Sequence, residues 1–393
     1  MDYRFTPEEE SFRLQVREFL VQELPPDWTV RNDRESESDA EFAFSQQLSR
    51  RLAERGWLTL AWPKEYGGAG ASPMAQLVYN EELAYAGAPL GFGFGPNLVG
   101  PTLMVWGSEE QKRQHLSAIA RSEEFWCQGF SEPGAGSDLA SLETRASAEG
   151  DDYVINGQKI WTSEGHRGDW MILLARTDPD APKHRGISYF LVDMRTPGIS
   201  IRPLVNLMGG HAFNQVFFDN VRVPRANLVG EKHRGWYVAT TTLDFERSGI
   251  NRVTWTRRQL VDLTSLLARD ARGNGGNTHR AAVRTKLAEL TIEIEIARLL
   301  CYRVAFLQSR GAVPNYESSM AKLYGTEVIH RFANASVGLL GLMGQVEPGS
   351  RWAALSGRIE RTYLASVSYT IAGGTSEVQR GVIATRGLGL PRG

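Results

Sequence analysis

The spacing of hydrophobic and polar residues changes twice along the chain, and each change predicts a different kind of element. Up to about residue 120 the spacing is helical, with apolar residues at i, i+4, i+7 and i+8 from Phe12 to Leu20. The residues before this stripe, TPEE at 6–9, have the form of a capping box with proline at the first helical position. Further helices are predicted over 40–54 and 74–86.

Between about 123 and 230 the apolar runs become short and are bounded by turn residues, which is typical of strands. The strongest hairpin signal is Asn156-Gly157, which predicts a turn between strands at 153–155 and 159–161. Other strands are predicted over 170–175, 187–192 and 214–223. About six such strands favour a β-barrel or a sandwich.

From Gly235 onward the pattern is helical again. One helix is predicted from Trp236 to Arg272, and others over 279–310, 316–344 and 351–370. Long helical segments without internal proline favour an antiparallel bundle. The predicted fold class is therefore α+β, with an N-terminal α-helical domain (1–122), a middle β-barrel or sandwich domain (123–231) and a C-terminal four-helix bundle (232–393).

Composition and charge narrow the class of protein. The 393 residues carry a formal net charge of −1, which does not favour nucleic acid or an anionic membrane as the main partner. The only cysteines, Cys127 and Cys301, are too few for a disulfide-stapled secreted fold. The N-terminus lacks the pattern of a signal peptide, and no apolar run approaches 18 residues. We therefore expect a cytoplasmic protein without a membrane span.

The sequence lacks the motifs of several common classes of enzyme. The seven histidines are at least 18 positions apart, so no helical His-x-x-x-His metal pair exists and no metal site is expected. The glycine clusters complete neither a dinucleotide fingerprint nor a Walker A motif. Ser131 begins like a nucleophile elbow, but Pro133 takes the place of the second glycine. Hydrolase, zinc enzyme and kinase functions are disfavoured.

Three segments remain as candidate binding elements. QGFSEPGAGSD at 128–138 can bring backbone N–H groups and hydroxyls close to a ligand, or be a solvated turn. KIWTSE at 159–164 can stack Trp161 on a flat ring, or bury it in the core. In IAGGTSEVQR at 371–380, two glycines before Thr375 indicate the start of a helix. The N-terminus of that helix can hold a polar group of a ligand, or Thr375 can be an ordinary helix cap.

Together these segments resemble the acyl-CoA dehydrogenase family of flavoproteins. The resemblance extends over essentially the whole chain, including WPKEYGG at 62–68 and the end of the β segment at 223–230. It implies FAD between the β-domain and the C-terminal helices. The residues expected by position at the isoalloxazine and its ribityl side are Gln128, Phe130 and Ser131, and those along the other flavin face and near N5 are Trp161, Thr162 and Ser163.

The resemblance also implies the remaining contacts. Thr375 and Glu377 are expected at the cofactor, and Ser137 at the cofactor and the CoA part of the thioester. Arg247 and Gly374 are expected at the substrate.

The implied reaction is α,β-dehydrogenation of an acyl-CoA, with electrons passed to an electron-transfer flavoprotein. Many members carry the catalytic base in a Tyr-Glu-Gly-Thr stretch, but here the glutamate position is Gly373. Glu246, within LDFER at 243–247, matches the helix-borne base of isovaleryl-CoA and long-chain acyl-CoA dehydrogenases. Without the resemblance, Glu246 would be an acid on a helix surface. With it, Glu246 is the expected base and Asp244 the weaker competitor.

Two departures from the family pattern concern partners. No phenylalanine follows the arginines of 269–276 at the family's spacing, and Gly338 stands where family members carry a glutamine. This pattern is similar to that of some actinobacterial subunits that pair with a different subunit. A homo-oligomer (dimer or tetramer) and a heteromer therefore both remain open. A non-catalytic partner subunit and a flavin oxidase or monooxygenase are the alternative functions.

Overall fold

A computed structural model describes residues 3–26, 28, 38–89, 93–244, 249–273 and 280–391. Helices come first along the chain, then a β-sheet, then helices again, so the predicted fold class is confirmed. The helices are α1 (Pro7–Glu23), α2 (Asp39–Glu54), α3 (Pro73–Ala86), α4 (Gly100–Trp106), α5 (Glu109–Ala120), α6 (Gly235–Asp244), α7 (Ile250–Gly273), α8 (Arg280–Ser309), α9 (Tyr316–Leu340), α10 (Arg358–Tyr369) and α11 (Ser376–Val382).

The chain divides into two compact units. The helical unit comprises Met1–Asp33, Ser72–Ala88 and Arg247–Gly393, and the sheet unit comprises Arg34–Ala71 and Pro89–Glu246. Because each unit is assembled from separated stretches, the three-domain boundaries after residues 122 and 231 remain predictions.

The helical unit is built around one hydrophobic core. Its buried residues come from α3, α7, α8, α9 and α10, with Leu77, Leu263, Ile294 and Phe332 among those almost fully excluded from solvent. The predicted capping box of α1 is present: the Thr6 side chain accepts a hydrogen bond from the Glu9 N–H, and the Glu9 carboxylate accepts one from the Thr6 N–H.

Two helix predictions in the C-terminal region are wrong. The single helix predicted over 236–272 is divided into α6 and α7, and Gly249 just before α7 has a φ of +60°. The helix predicted over 351–370 begins only at Arg358, because Leu355 and Ser356 have left-handed backbones. A left-handed residue interrupts the i to i−4 hydrogen bonds of a helix but leaves the spacing of hydrophobic residues unchanged. The spacing therefore did not show where these helices break.

The sheet unit contains an eight-stranded sheet. The strands are β1 (Trp126–Gly129), β2 (Arg145–Glu149), β3 (Asp152–Ser163), β4 (Trp170–Arg176), β5 (Ile187–Asp193), β6 (Ile199–Leu204), β7 (Phe213–Pro224) and β8 (Leu228–Val229). Their order is β6-β7-β3-β2-β4-β5-β8, and β1 pairs with β4. The β1–β4 pair is parallel, whereas β3 runs antiparallel to both β2 and β7.

The hairpin predicted at Asn156-Gly157 is wrong, because β3 runs through both residues. Gly157 instead lies at a shift in the register between β3 and β7. Its φ is +145°, and a Cβ there would stand 2.7 Å from the Cα of Thr144. The tight turn lies earlier, at Gly150 between β2 and β3. Long-range pairing with β7 therefore overrides the local turn signal.

Over the ranges that the structure describes, no helix combines the length and the apolar character needed to cross a membrane.

Candidate functional site

Two of the predicted binding segments meet where β1 and β3 end. Residues 128–131, at the end of β1, and 160–163, at the end of β3, form what we call the sheet rim. The N–H of Ile160 donates to the carbonyl of Ser131 at 2.9 Å. The structure therefore brings the predicted residues of both segments together within the sheet unit.

Trp161 is presented outward from the sheet rim by an unusual backbone. Its φ is +60°, and the register between β3 and β7 shifts between Lys159 and Thr162. The side chain is 60% exposed and touches Phe213 edge to face, with ring centroids 6.1 Å apart. A left-handed backbone costs a residue other than glycine about 1–2 kcal/mol, and such strain is found preferentially at ligand sites. Trp161 is not a core residue but an exposed ring held in a strained position.

Two polar atoms of the sheet rim are buried without a partner. Gln128 Nε2 and Thr162 Oγ1 have no hydrogen-bond partner among the described residues, and Thr162 is fully excluded from solvent. A buried polar group left unpaired costs about 1–3 kcal/mol. Gln128 Nε2 can donate to an acceptor on a ligand, and the Thr162 hydroxyl can donate to a ligand or accept from it. Both atoms therefore fit a ligand with a polar edge.

The other predicted residues of this region differ in exposure. Phe130 is buried against Tyr189, with ring centroids 6.0 Å apart, and Ser131 and Ser163 are half-buried. Ser137 is exposed on the loop that follows. The adjacent Asp138 pairs with Lys183 at 2.8 Å, and this contact holds the pKa of the Asp138 carboxyl below its usual value. The loop is thus buried where it leaves β1 and solvated at its far end.

An ion pair beneath the sheet rim was missed from the sequence. Lys159 Nζ, fully buried, lies 2.7 Å from Glu132 Oε1 and donates to the carbonyl of Phe130 at 3.0 Å. Burial lowers the pKa of Lys159 to about 8, against the opposing effect of Glu132. Burial raises the pKa of Glu132, but Lys159 and backbone donors outweigh it, so the net shift is downward. Both groups are charged at pH 7.

Two histidines behind the sheet rim were also missed. The rings of His166 and His211 stack with centroids 4.1 Å apart, and the Asn214 side chain contacts both while donating to the Thr162 carbonyl. Burial, His211 and Arg167 lower the pKa of His166 to about 4, so this ring is neutral at pH 7. In the part of the chain that the structure describes, no three metal-ligating side chains are grouped.

The third predicted segment, residues 371–380, begins in what we call the glycine loop, residues 370–376 of the helical unit. Gly373 and Gly374 have φ of +65° and +85°, and Thr375 caps α11 by accepting from the N–H of Val378. The ammonium group of Lys322, on α9, donates to the carbonyl of Gly374 at 2.6 Å and to that of Tyr369 at 3.2 Å. The predicted helix start after the glycines is confirmed.

The glycine loop borders an open cleft of the helical unit. Thr375 and Glu377 both line it, as does Ser376, whose buried hydroxyl has no partner among the described residues. The exposed Glu377 has its pKa lowered by its own backbone N–H and by Thr375. The full lining consists of Glu327, His330, Arg331, Thr370, Ile371, Thr375, Ser376, Glu377 and Arg380. The polar lining and the unpaired hydroxyl fit a polar ligand.

Comparison with known proteins decides the family. Models of the acyl-CoA dehydrogenase N-terminal, middle and C-terminal domains match residues 6–123, 127–221 and 233–388. The chain belongs to the acyl-CoA dehydrogenase family. Members of this family are FAD-dependent oxidoreductases, so the chain is assigned to the oxidoreductases.

Individual relatives cover the whole chain. Acyl-CoA dehydrogenase FadE26 of Mycobacterium tuberculosis is 37% identical over 100% of this chain and 99% of the relative. A structure titled Tcur3481-Tcur3483 steroid ACAD has a TM-score of 0.90 at 36% identity, covering 100% of both chains. The ChsE4-ChsE5 complex from Mycobacterium tuberculosis has a TM-score of 0.87 at 35% identity, again covering 100% of both.

Within this acyl-CoA dehydrogenase, the predicted base and one substrate residue, Glu246 and Arg247, lie outside the described residues. Gly373 is exposed, and apart from its chain neighbours no described residue lies within 4 Å of the place where its Cβ would stand. Gly374 is half-buried, and a Cβ there would lie 2.6 Å from Gln379 Nε2. The role of Glu246 therefore stays a prediction.

Proposed function

We propose that this chain binds FAD and catalyses the α,β-dehydrogenation of an acyl-CoA thioester. One observation carries the proposal: the sheet rim combines a strained, exposed Trp161 with the buried, unpaired polar atoms of Gln128 and Thr162. A flat aromatic ligand with a polar edge satisfies both features, because the indole can stack on its face and the two polar atoms can bind its edge.

The residues present fit the flavin of FAD. Gln128, Phe130, Ser131 and Trp161–Ser163 would hold the ring system. Thr375 and Glu377 are proposed as further FAD contacts. When bound, FAD supplies the acceptor for the hydride that leaves the β-carbon of the substrate. The buried surroundings of Thr162 keep water from its hydroxyl, so a hydrogen bond made there is stronger than one in solvent.

Glu246 is proposed as the base that takes the α-proton of the thioester. The support is its match to the helix-borne base of related dehydrogenases, together with the absence of a carboxylate at Gly373. Ser137, Arg247 and Gly374 are proposed to bind the CoA thioester. A positioned base contributes about 10²–10⁴ in rate.

The partners follow from the same proposal. An electron-transfer flavoprotein is the proposed electron acceptor. Two similar structures each pair two differently named chains, Tcur3481 with Tcur3483 and ChsE4 with ChsE5. This supports a heteromer with a second acyl-CoA dehydrogenase subunit over a homo-oligomer. Because Tcur3481-Tcur3483 is described as a steroid ACAD, bulky ring-bearing substrates are included in the test.

An anaerobic titration tests the function. The FAD-loaded protein is titrated with straight, branched and steroid-ring acyl-CoA thioesters, and the flavin absorbance is followed. We expect at least one thioester to bleach the flavin band of the wild type, and Glu246→Gln to slow bleaching about 10²–10⁴-fold. Asp244→Asn is the matched control, because it removes the competing carboxylate two residues away.

The other outcomes identify the alternatives. Near-wild-type bleaching by Glu246→Gln removes Glu246 from the mechanism, and slow bleaching by Asp244→Asn alone assigns the base to Asp244. A wild-type protein that takes up no FAD favours the non-catalytic partner subunit. Rapid oxygen uptake by the reduced protein favours an oxidase or monooxygenase.

A further inference from the structure

The Lys159–Glu132 ion pair lies beneath the two predicted flavin-contact segments without belonging to either set of predicted contacts. Lys159 is on β3, directly before the Ile160–Ser163 part of the sheet rim, and is fully buried. Glu132 follows Ser131 and is 8% exposed. The ammonium and carboxylate groups are 2.7 Å apart, so each removes most of the cost of burying the other's charge.

The carboxylate of Glu132 also accepts two backbone hydrogen bonds. Its Oε2 accepts from the N–H of Glu143 at 2.7 Å, and its Oε1 accepts from the N–H of Thr144 at 2.9 Å. The Thr144 hydroxyl in turn donates to the carbonyl of Gln158, on β3, at 3.1 Å. Glu132 is therefore fixed to the segment before β2 as well as to β3.

The ammonium of Lys159 reaches the rim itself. It donates to the carbonyl of Phe130 at 3.0 Å, and the neighbouring Ile160 N–H donates to the carbonyl of Ser131 at 2.9 Å. Two successive carbonyls of the loop after β1 are thus held by two successive residues of β3. Removing Lys159 leaves only one of these two attachments.

Stability alone does not account for such a pair. A buried ion pair is often no more stabilising than apolar residues of similar volume, because desolvation offsets the Coulomb attraction. What apolar residues cannot replace is the directed bond from Lys159 to the Phe130 carbonyl. The pair therefore serves geometry rather than net stability.

We propose that Lys159 and Glu132 are positioning residues that lock residues 128–131 to residues 160–163, so that both segments meet the flavin as one preformed surface. This inference rests on the proposed function, because it takes the sheet rim to be the flavin site. Neither residue touches the flavin in this account. Their effect reaches it through the backbone of Phe130 and Ser131.

The test compares Lys159→Met, the double variant Glu132→Gln/Lys159→Met and the matched control Lys286→Met. Lys286 pairs with Glu289 at 3.1 Å on the surface of the helical unit, so its replacement removes an exposed lysine–glutamate pair. Three properties are measured: FAD affinity of the apoprotein, the absorbance spectrum of bound FAD, and hydrogen exchange of the Ile160 amide in the apoprotein.

We expect both Lys159 variants to bind FAD at least about tenfold more weakly, with a shifted flavin spectrum and faster exchange at Ile160. The double variant removes both buried charges, so its apoprotein should regain most of the stability lost by Lys159→Met while FAD binding stays weak. Lys286→Met should match the wild type.

A stable double variant with wild-type FAD affinity and spectrum would overturn the positioning role, since the pair would then be only structural. If the wild-type protein itself binds no FAD, the proposed function fails and the positioning role fails with it. Weak binding together with a wild-type exchange rate at Ile160 would also contradict the proposal, because the loop would have kept its attachment.

Discussion

The sheet rim and the glycine loop are both held by a lysine that donates to backbone carbonyls, but the two lysines work in different surroundings. Lys159 is fully buried and paired with Glu132, and it holds a carbonyl of the sheet rim. Lys322 is half-buried on α9 and donates to two carbonyls of the glycine loop. A lysine ammonium suits this role, because its three donors can bind several oxygens at once.

The surroundings decide what each segment can tolerate. The sheet rim contains a left-handed tryptophan and two buried polar atoms that no other described residue pairs, all costly without a ligand. The glycine loop places its positive φ values at Gly373 and Gly374, where they cost little. Of these two segments, the sheet rim holds a residue other than glycine in a left-handed backbone, next to the ion pair, whereas the glycine loop carries one buried hydroxyl, that of Ser376, without a partner among the described residues.

Replacing the two lysines should sharpen this contrast. Lys159→Met leaves a buried carboxylate without its cation and should lower the free energy of unfolding by about 3–5 kcal/mol. Lys322→Met loses hydrogen bonds to two carbonyls of the glycine loop, at a half-buried position, and should cost about 1.5–3 kcal/mol. Urea denaturation of both apoproteins, with Lys286→Met as control, measures the difference. Equal losses would break the comparison.

Backbone strain at Trp161 should have a smaller effect on the free energy of unfolding. Trp161→Gly removes the side chain and relieves the left-handed backbone, whereas Trp161→Ala removes the side chain and keeps the strain. The glycine variant should be the more stable by about 1 kcal/mol in urea denaturation, since a left-handed backbone penalises alanine. Both variants should lose FAD affinity to a similar degree. An alanine variant as stable as the glycine variant would contradict the strain argument.

Local signals made two helix starts predictable. The capping box of α1 and the start of α11 after Gly374 are both encoded within a few adjacent residues, and both are present. The Asn156-Gly157 hairpin failed for the opposite reason. Its outcome depends on β7, more than fifty residues further along the chain, which pairs along β3 past both residues.

The candidate site was predictable only in part. The segments that form the sheet rim and the glycine loop could be selected from their composition and family resemblance. Nothing local indicates that Lys159 lies against Glu132, that the β3 bulge turns Trp161 outward, or that Ser376 is buried without a partner. These features arise from tertiary contacts, which hydrophobic spacing does not encode.

Thr162 tests whether the sheet rim is the flavin-binding site. Its hydroxyl is buried and has no partner within the described part of the chain. Thr162→Val removes that hydroxyl at nearly constant shape, so the apoprotein should gain about 1 kcal/mol in free energy of unfolding.

The decisive measurement is the FAD affinity of the Thr162→Val apoprotein beside the wild type, with its urea denaturation curve recorded in parallel. We expect a protein that is at least as stable but binds FAD roughly tenfold more weakly, because the cofactor loses a hydrogen-bond partner. Unchanged FAD affinity, or a less stable apoprotein, would show that Thr162 serves the fold and not the flavin.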